Sequence, residues 1–212
     1  MIFLVDPWKE EIANAITHGI GFILSIIGLV FLILRSLHEG GSRLSLFSMI
    51  VFGSSMIILY LCSTLLHSIP FQKTRRLFTI LDHSAIYVLI AGTYTPFLLI
   101  SLRGTLGWVL FGLVWAIAIA GIIFKAIFAD RYNVISTIGY LIMGWLILFA
   151  ARPIFEALPL TGFILLVVGG IIYSVGTIFY LWERLPFNHA IWHLFVLAGN
   201  ACMFFCVLFF VY

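Results

Sequence analysis

Charged residues punctuate this chain so sparsely that seven uncharged, mainly apolar runs remain: 12–34, 44–72, 83–102, 104–124, 132–151, 157–182 and 185–212. None is shorter than 20 residues. A helix rises about 1.5 Å per residue, so roughly 20 residues cross a hydrocarbon layer about 30 Å thick. Each run is therefore long enough for one membrane-spanning helix. A β-barrel needs short strands of alternating polarity, whereas these runs are continuous. With 64% of its residues hydrophobic and 9% charged, the chain cannot cover a water-facing surface of ordinary polarity.

The expected fold is an all-α integral membrane protein, one seven-helix transmembrane domain over 1–212. Its helices are expected near 12–34, 44–67, 82–102, 104–124, 132–151, 160–182 and 188–212. Loops between runs are too short for a second domain. Gly40, Pro70, Gly104, Pro153, Pro159 and Pro186 stand at or near run ends, as turn chemistry requires. Pro96 sits inside the third run after Thr93, Tyr94 and Thr95, where a kink is expected. Gly162, Gly169, Gly170, Ser174 and Gly176 let the sixth run approach a neighbour closely. Trp8, Trp108, Tyr132, Trp182 and Tyr212 fall where aromatic belts form.

An odd number of crossings puts the termini on opposite sides. Lys9, Lys73, Arg75, Arg76, Lys125, Arg131 and Arg184 share the N-terminal side, against Arg35, Arg43, Arg103 and Arg152 on the other. Seven against four predicts a cytoplasmic N terminus and an outside C terminus. The net charge of +3 is an orientation signal spread over short loops, and no nucleic-acid partner is expected. No secretory signal pattern is expected around Asp6, Lys9, Glu10 and Glu11. Cys62, Cys202 and Cys206 all lie in apolar runs and are read as small packing residues without a disulfide.

Ionisable groups are costly in hydrocarbon, so those found there have partners or a function. The start of run 1, the end of run 2 and the starts of runs 3 and 7 all lie on one side. They carry Glu11, Asn14 and His18; Ser63 and His67; Asp82 and His83; and His189 and His193. Of the six histidines, His38 alone falls on the other side. His189 and His193 are four apart and project from one helix face. With His67 they offer three nitrogens to one ion and leave a position open, the arrangement of catalytic zinc. Asp82 is read either as the group that orients or deprotonates a water or as a helix N-cap. Ser63, one turn before His67, donates either toward the site or back to its own helix. Glu11, Asn14 and His18 form one stripe on the first helix and are expected to support the metal ligands. His83 points about 100° away from Asp82 and is not expected among the ligands.

Four motifs, EIANAITH at 11–18, STLLH at 63–67, LDHSAIYVLIAGTYTPF at 81–97 and HAIWH at 189–193, resemble the hemolysin III family of bacterial membrane proteins. That family is grouped with the progestin and adiponectin receptors and, more widely, with alkaline ceramidases. The resemblance implies seven helices in the bacterial cytoplasmic membrane with the N terminus inside. It also implies Zn2+ on His67, His189 and His193, with Asp82 and Ser63 beside it. The wider group implies metal-dependent hydrolysis of a lipid amide, and so a membrane lipid as substrate. The family name implies instead a pore-forming cytolysin, and the receptor branch a signalling protein with structural zinc. Adiponectin receptors carry tyrosine where this chain has His83, which makes the bacterial branch the nearer match.

Overall fold

The computed structural model describes residues 6–129 and 131–212, apart from the side chains of Pro7, Gln72 and Lys73. The Lys73 ammonium, part of the charge count above, is thus outside the described atoms. Eight α-helices follow in order: α1 Pro7–His38, α2 Arg43–Ser68, α3 Gln72–Pro96, α4 Gly104–Phe128, α5 Asn133–Trp145, α6 Ala151–Ala157, α7 Leu160–Leu181 and α8 Asn188–Phe210. They make seven spans, because α5, a 3-10 turn at Leu146–Ala150 and α6 form one crossing. No strand occurs among the described residues. Whole helix faces of exposed isoleucine, leucine, valine and phenylalanine look outward, as on α1 at Ile12, Ile16, Ile20, Ile27 and Phe31. Such faces need a lipid solvent. Trp8, Trp108, Tyr132, Trp182 and Tyr212 are exposed near helix ends.

Helix ends follow local chemistry. Asp6 caps α1 by accepting from the Trp8 N–H, and Ser42 caps α2 by accepting from that of Ser45. Pro159 precedes α7, where its missing N–H costs nothing. α3 corrects the expected start at 82. It begins at Gln72 after Phe71, so its first turns carry Arg75 and Arg76. Charges end an apolar run without ending a helix, because the helix continues through the polar interface. Asp82 is consequently well inside α3, and its reading as an N-cap is wrong.

At Pro96 the α-helix gives way to a π-helical turn, Phe97–Leu102. Thr93 and Thr95 donate to the carbonyls of Leu89 and Ala91 in the preceding turns, at 2.8 and 2.9 Å. Tyr94 joins this bend to the break in the fifth span. Its hydroxyl is 3.0 and 2.7 Å from the carbonyls of Met143 and Gly144 and accepts the Ile147 N–H at 2.8 Å. Backbone groups that the change to a 3-10 turn leaves open are thereby paired, as a hydrocarbon surrounding demands.

α1 packs on α2 and α8, α2 on α3, α3 on α4, and α7 on α8. The α7–α8 seam rests on glycines. A Cβ at Gly176 would stand 2.6 Å from Cβ of Phe195, and one at Gly169 would stand 2.8 Å from Cε of Met203. Gly162 meets Phe210 one heptad earlier. Without a hydrophobic force between helices in lipid, close backbone approach is the main source of their attraction. This seam holds α8, and with it His189 and His193, in place. Cys206 is buried and donates its thiol to the Gly162 carbonyl at 3.1 Å.

Candidate metal centre

Four helix ends converge on the face predicted from chain parity. His67 comes from the last turn of α2 and His189 and His193 from the first two turns of α8. One nitrogen from each of the three lies within 4.8 Å of the others. Ring centroids are 5.0 Å apart for His67 and His189, 5.3 Å for His67 and His193, and 4.6 Å for His189 and His193.

Their outer nitrogens are held by α1. Nδ1 of His67 is 2.6 Å from Oε2 of Glu11. Nδ1 of His193 is 3.2 Å from the Asn14 carbonyl and 3.1 Å from Oγ1 of Thr17. The Thr17 hydroxyl donates to the carbonyls of Ala13 and Asn14, so its oxygen is free to accept. Carboxylate, carbonyl and hydroxyl acceptors place the proton on Nδ1 in both rings, and the Nε2 lone pairs face inward. Nε2 of His67 and of His189 are buried without a hydrogen-bond partner. Unpaired buried polar atoms of this kind cost about 1–3 kcal/mol each. The donor set, three imidazoles with two outer nitrogens anchored, fits zinc.

Asp82 is buried on α3, with the Ser63 hydroxyl among its polar neighbours. Ser63 Oγ is also 3.5 Å from Nε2 of His193. The hydroxyl thus lies between carboxyl and imidazole. Its neighbours Thr64 and Ser68 instead bond back to their own helix, at 2.6 and 2.7 Å. Asp82 is outside the three-histidine group.

His18 departs from its expected role. Its ring stacks on His193 at 3.4 Å and 11° and meets Tyr60 edge-on at 5.0 Å. Its support for the ligand is packing, since neither of its ring nitrogens is hydrogen-bonded. Asn14 supports chiefly through its main chain, with its side-chain nitrogen 3.5 Å from Nδ1 of His67. His83 is buried and outside the three-histidine group, and its carbonyl accepts from Tyr140 at 2.9 Å.

Three supporting residues were not singled out for the site from the sequence. Arg75 donates to the second oxygen of Glu11. In the sequence it reads only as an orienting charge, although its position beside the α2–α3 turn is a signal. Thr17 sits within EIANAITH, one residue from the stripe. Glu10 accepts from the Phe187 N–H at 2.8 Å, and Phe187, at φ 56°, is the left-handed residue from which α8 starts.

A cavity of about 160 Å³ begins at His18, Asp82, His189 and His193 and runs into the bundle to Phe97, Ile154 and Met203. Its walls are overwhelmingly apolar. Leu148 of the 3-10 turn lines it and is also 61% exposed on the outer surface.

The comparisons with known proteins agree with this architecture. Residues 7–204 match the family described as Haemolysin-III related. The chain is 63% identical over 203 residues to Hemolysin-3 of Bacillus cereus, covering 96% of this chain and 92% of that one. It is 59% identical over 202 residues to a Hemolysin-3 homolog of Bacillus subtilis (strain 168), covering 95% and 94%. The human Monocyte to macrophage differentiation factor is 28% identical over 205 residues, covering 93% and 83%. With seven apolar spans and a match over nearly its whole length, this chain belongs to the haemolysin-III related family, the bacterial branch of the progestin and adiponectin receptor group.

Proposed function

We propose that the protein is a zinc-dependent membrane hydrolase that cleaves an amide or ester of a lipid at the cytoplasmic side of the bilayer. One observation carries the reading. Three imidazoles offer nitrogens within 4.8 Å of one another, those of His67 and His189 buried without a hydrogen-bond partner, and His189 and His193 also line the polar end of an otherwise apolar cavity. His67, His189 and His193 hold the metal. Zinc, when bound, supplies Lewis acidity toward a carbonyl oxygen and lowers the pKa of water.

The chain's own groups do the rest. Glu11 fixes His67 through Nδ1, and Asn14 with Thr17 fixes His193. Asp82 accepts a proton from water or orients it, and Ser63 donates a hydrogen bond at the reacting centre. The apolar cavity takes an acyl chain and excludes water from it. The surface at Leu148 supports entry from the bilayer. A cytoplasmic N terminus is supported by the seven-to-four excess of lysine and arginine, and residence in a bacterial membrane by the seven apolar spans together with the bacterial relatives.

The name Hemolysin-3 of the Bacillus cereus relative favours a second reading, a membrane pore. Apolar cavity walls speak against a water-filled pathway. The deciding experiment pairs hydrolysis of a broad panel of lipid amides and esters with dye leakage from liposomes, for wild type and Asp82→Ala. The enzyme reading expects hydrolysis by wild type and its loss in the variant, with no leakage by either. Leakage by wild type without hydrolysis of any lipid overturns it. Bound metal with neither turnover nor leakage indicates a receptor-like protein with structural zinc.

A further inference from the structure

Beside the histidine cluster, on the same face, the start of α3 and the end of α4 enclose a second, unlike cleft of about 590 Å³. Its lining is Arg75, Arg76, Thr79, Ile127, Phe128, Ala129 and Arg131. Of these seven described residues three are arginines and none is acidic; Asp130, between Ala129 and Arg131, lies outside the described residues. Arg75 is committed in part to Glu11. Arg76 and Arg131 are exposed and have no ion-pair or hydrogen-bond partner among the described residues. The Thr79 hydroxyl donates to the Arg75 carbonyl at 3.0 Å, so the guanidinium groups are the donors left to a ligand.

The backbone keeps this wall in place. Ala129 has φ 50° and Tyr132 φ 61°, conformations that L residues adopt at a cost and that a fixed surrounding must hold. They bend the chain out of α4 and into α5, which carries Arg131 around to the α3 side. Ile127, 65% exposed, adds an apolar edge facing the lipid. Self-repulsion of three cations in one concavity is relieved by an anion, and planar guanidinium groups match phosphate oxygens in paired hydrogen bonds. A phosphate group at the membrane surface, with its ester chains against an apolar rim, meets both halves of this lining.

We propose that the cleft between α3 and α4 is a binding site for a phosphate-bearing anion, held by Arg76 and Arg131 with Arg75 at its inner wall. Two sources carry that chemistry: the headgroup of an anionic phospholipid, and a soluble phosphate. The site does not depend on zinc or on hydrolysis. Arg75 nevertheless belongs both to the cleft and to the Glu11 clamp on His67.

Native mass spectrometry of the detergent-solubilised full chain, incubated with equimolar phosphatidylglycerol and phosphatidylcholine, tests the proposal. Wild type is expected to retain phosphatidylglycerol about tenfold over phosphatidylcholine. Arg76→Gln with Arg131→Gln brings the ratio close to one. Arg76→Lys with Arg131→Lys, which keeps the charge and loses the planar fork, retains a reduced preference. Adding millimolar inorganic phosphate separates the sources. Displacement of the retained lipid shows that soluble phosphate is recognised by itself, and retention against phosphate shows that the lipid headgroup is the ligand. Two results overturn the proposal: equal retention of the two lipids by wild type, which requires no variant to fold, or an undiminished preference in the glutamine pair.

Discussion

Oε2 of Glu11 stands 2.6 Å from Nδ1 of His67, so an acid from the first helix sets the tautomer of an imidazole on the second. The other oxygen of the same carboxylate is held by Arg75 of α3. One side chain thereby joins three helices and turns Nε2 of His67 inward, where it is buried without a partner.

Glu11→Gln keeps the size of the side chain and weakens both contacts. Loss of an acceptor behind a ligating histidine typically costs about 10–100-fold in metal affinity. Zinc titration against a competing chelator should show a loss in that range for Glu11→Gln and a smaller one for Thr17→Val. An unchanged affinity in Glu11→Gln would mean that the carboxylate does not prepare His67 for metal.

Purified wild type should carry about one zinc per chain by elemental analysis, in keeping with a three-ligand site. His189→Ala with His193→Ala removes two of the three nitrogens and should leave less than about a tenth of it. Asp82→Ala should keep the metal, because its carboxyl stands outside the ligand group, while abolishing lipid hydrolysis. Full zinc content in the double histidine variant would place the metal elsewhere.

Gly176 tests the seam that carries α8. An alanine Cβ there would lie 2.6 Å from Cβ of Phe195 and 2.9 Å from the Trp192 ring, so one helix must shift. Overpacking of this kind costs about 1–3 kcal/mol. Gly176→Ala should melt several degrees lower in detergent and lose zinc affinity with it. Gly112→Ala, with nothing within 4 Å of its Cβ, is the matched control and should melt with wild type.

Tyr94→Phe removes the hydroxyl that accepts the Ile147 N–H and meets the carbonyls of Met143 and Gly144. Interhelical hydrogen bonds in membranes are individually worth about 0.6 to 1.7 kcal/mol. The variant should lose stability in that range, and amide hydrogen exchange should rise at 145–150 while α8 is unaffected. Uniform exchange along the chain would show that Tyr94 does not hold the break.

Much of the site was legible because its signals are local or topological. The four-residue step from His189 to His193 puts both on one helix face wherever that helix packs. Parity of crossings brings His67, Asp82 and Glu11 to the same side without any knowledge of packing. The start of α3 was not legible from charge, since Lys73 and Asp82 bound the apolar runs while the helix continues through them and through Arg75 and Arg76. That error also made an N-cap of Asp82.

The amino-acid sequence alone determined the number of spans, the side on which the polar residues gather and the pair of histidines little more than one turn apart on a helix. Run length against bilayer thickness and helical period suffice for these. Only the tertiary structure decided which nitrogen of each imidazole looks inward, that His18 stacks on His193, that Ser63 turns to Asp82, and that Arg75 reaches Glu11. Helices that are apolar on nearly every face carry little periodic signal of which face meets lipid and which meets protein. Their rotation about the axis is chosen by glycine contacts and buried hydrogen bonds between segments far apart in the chain, and those exist only once the bundle has closed.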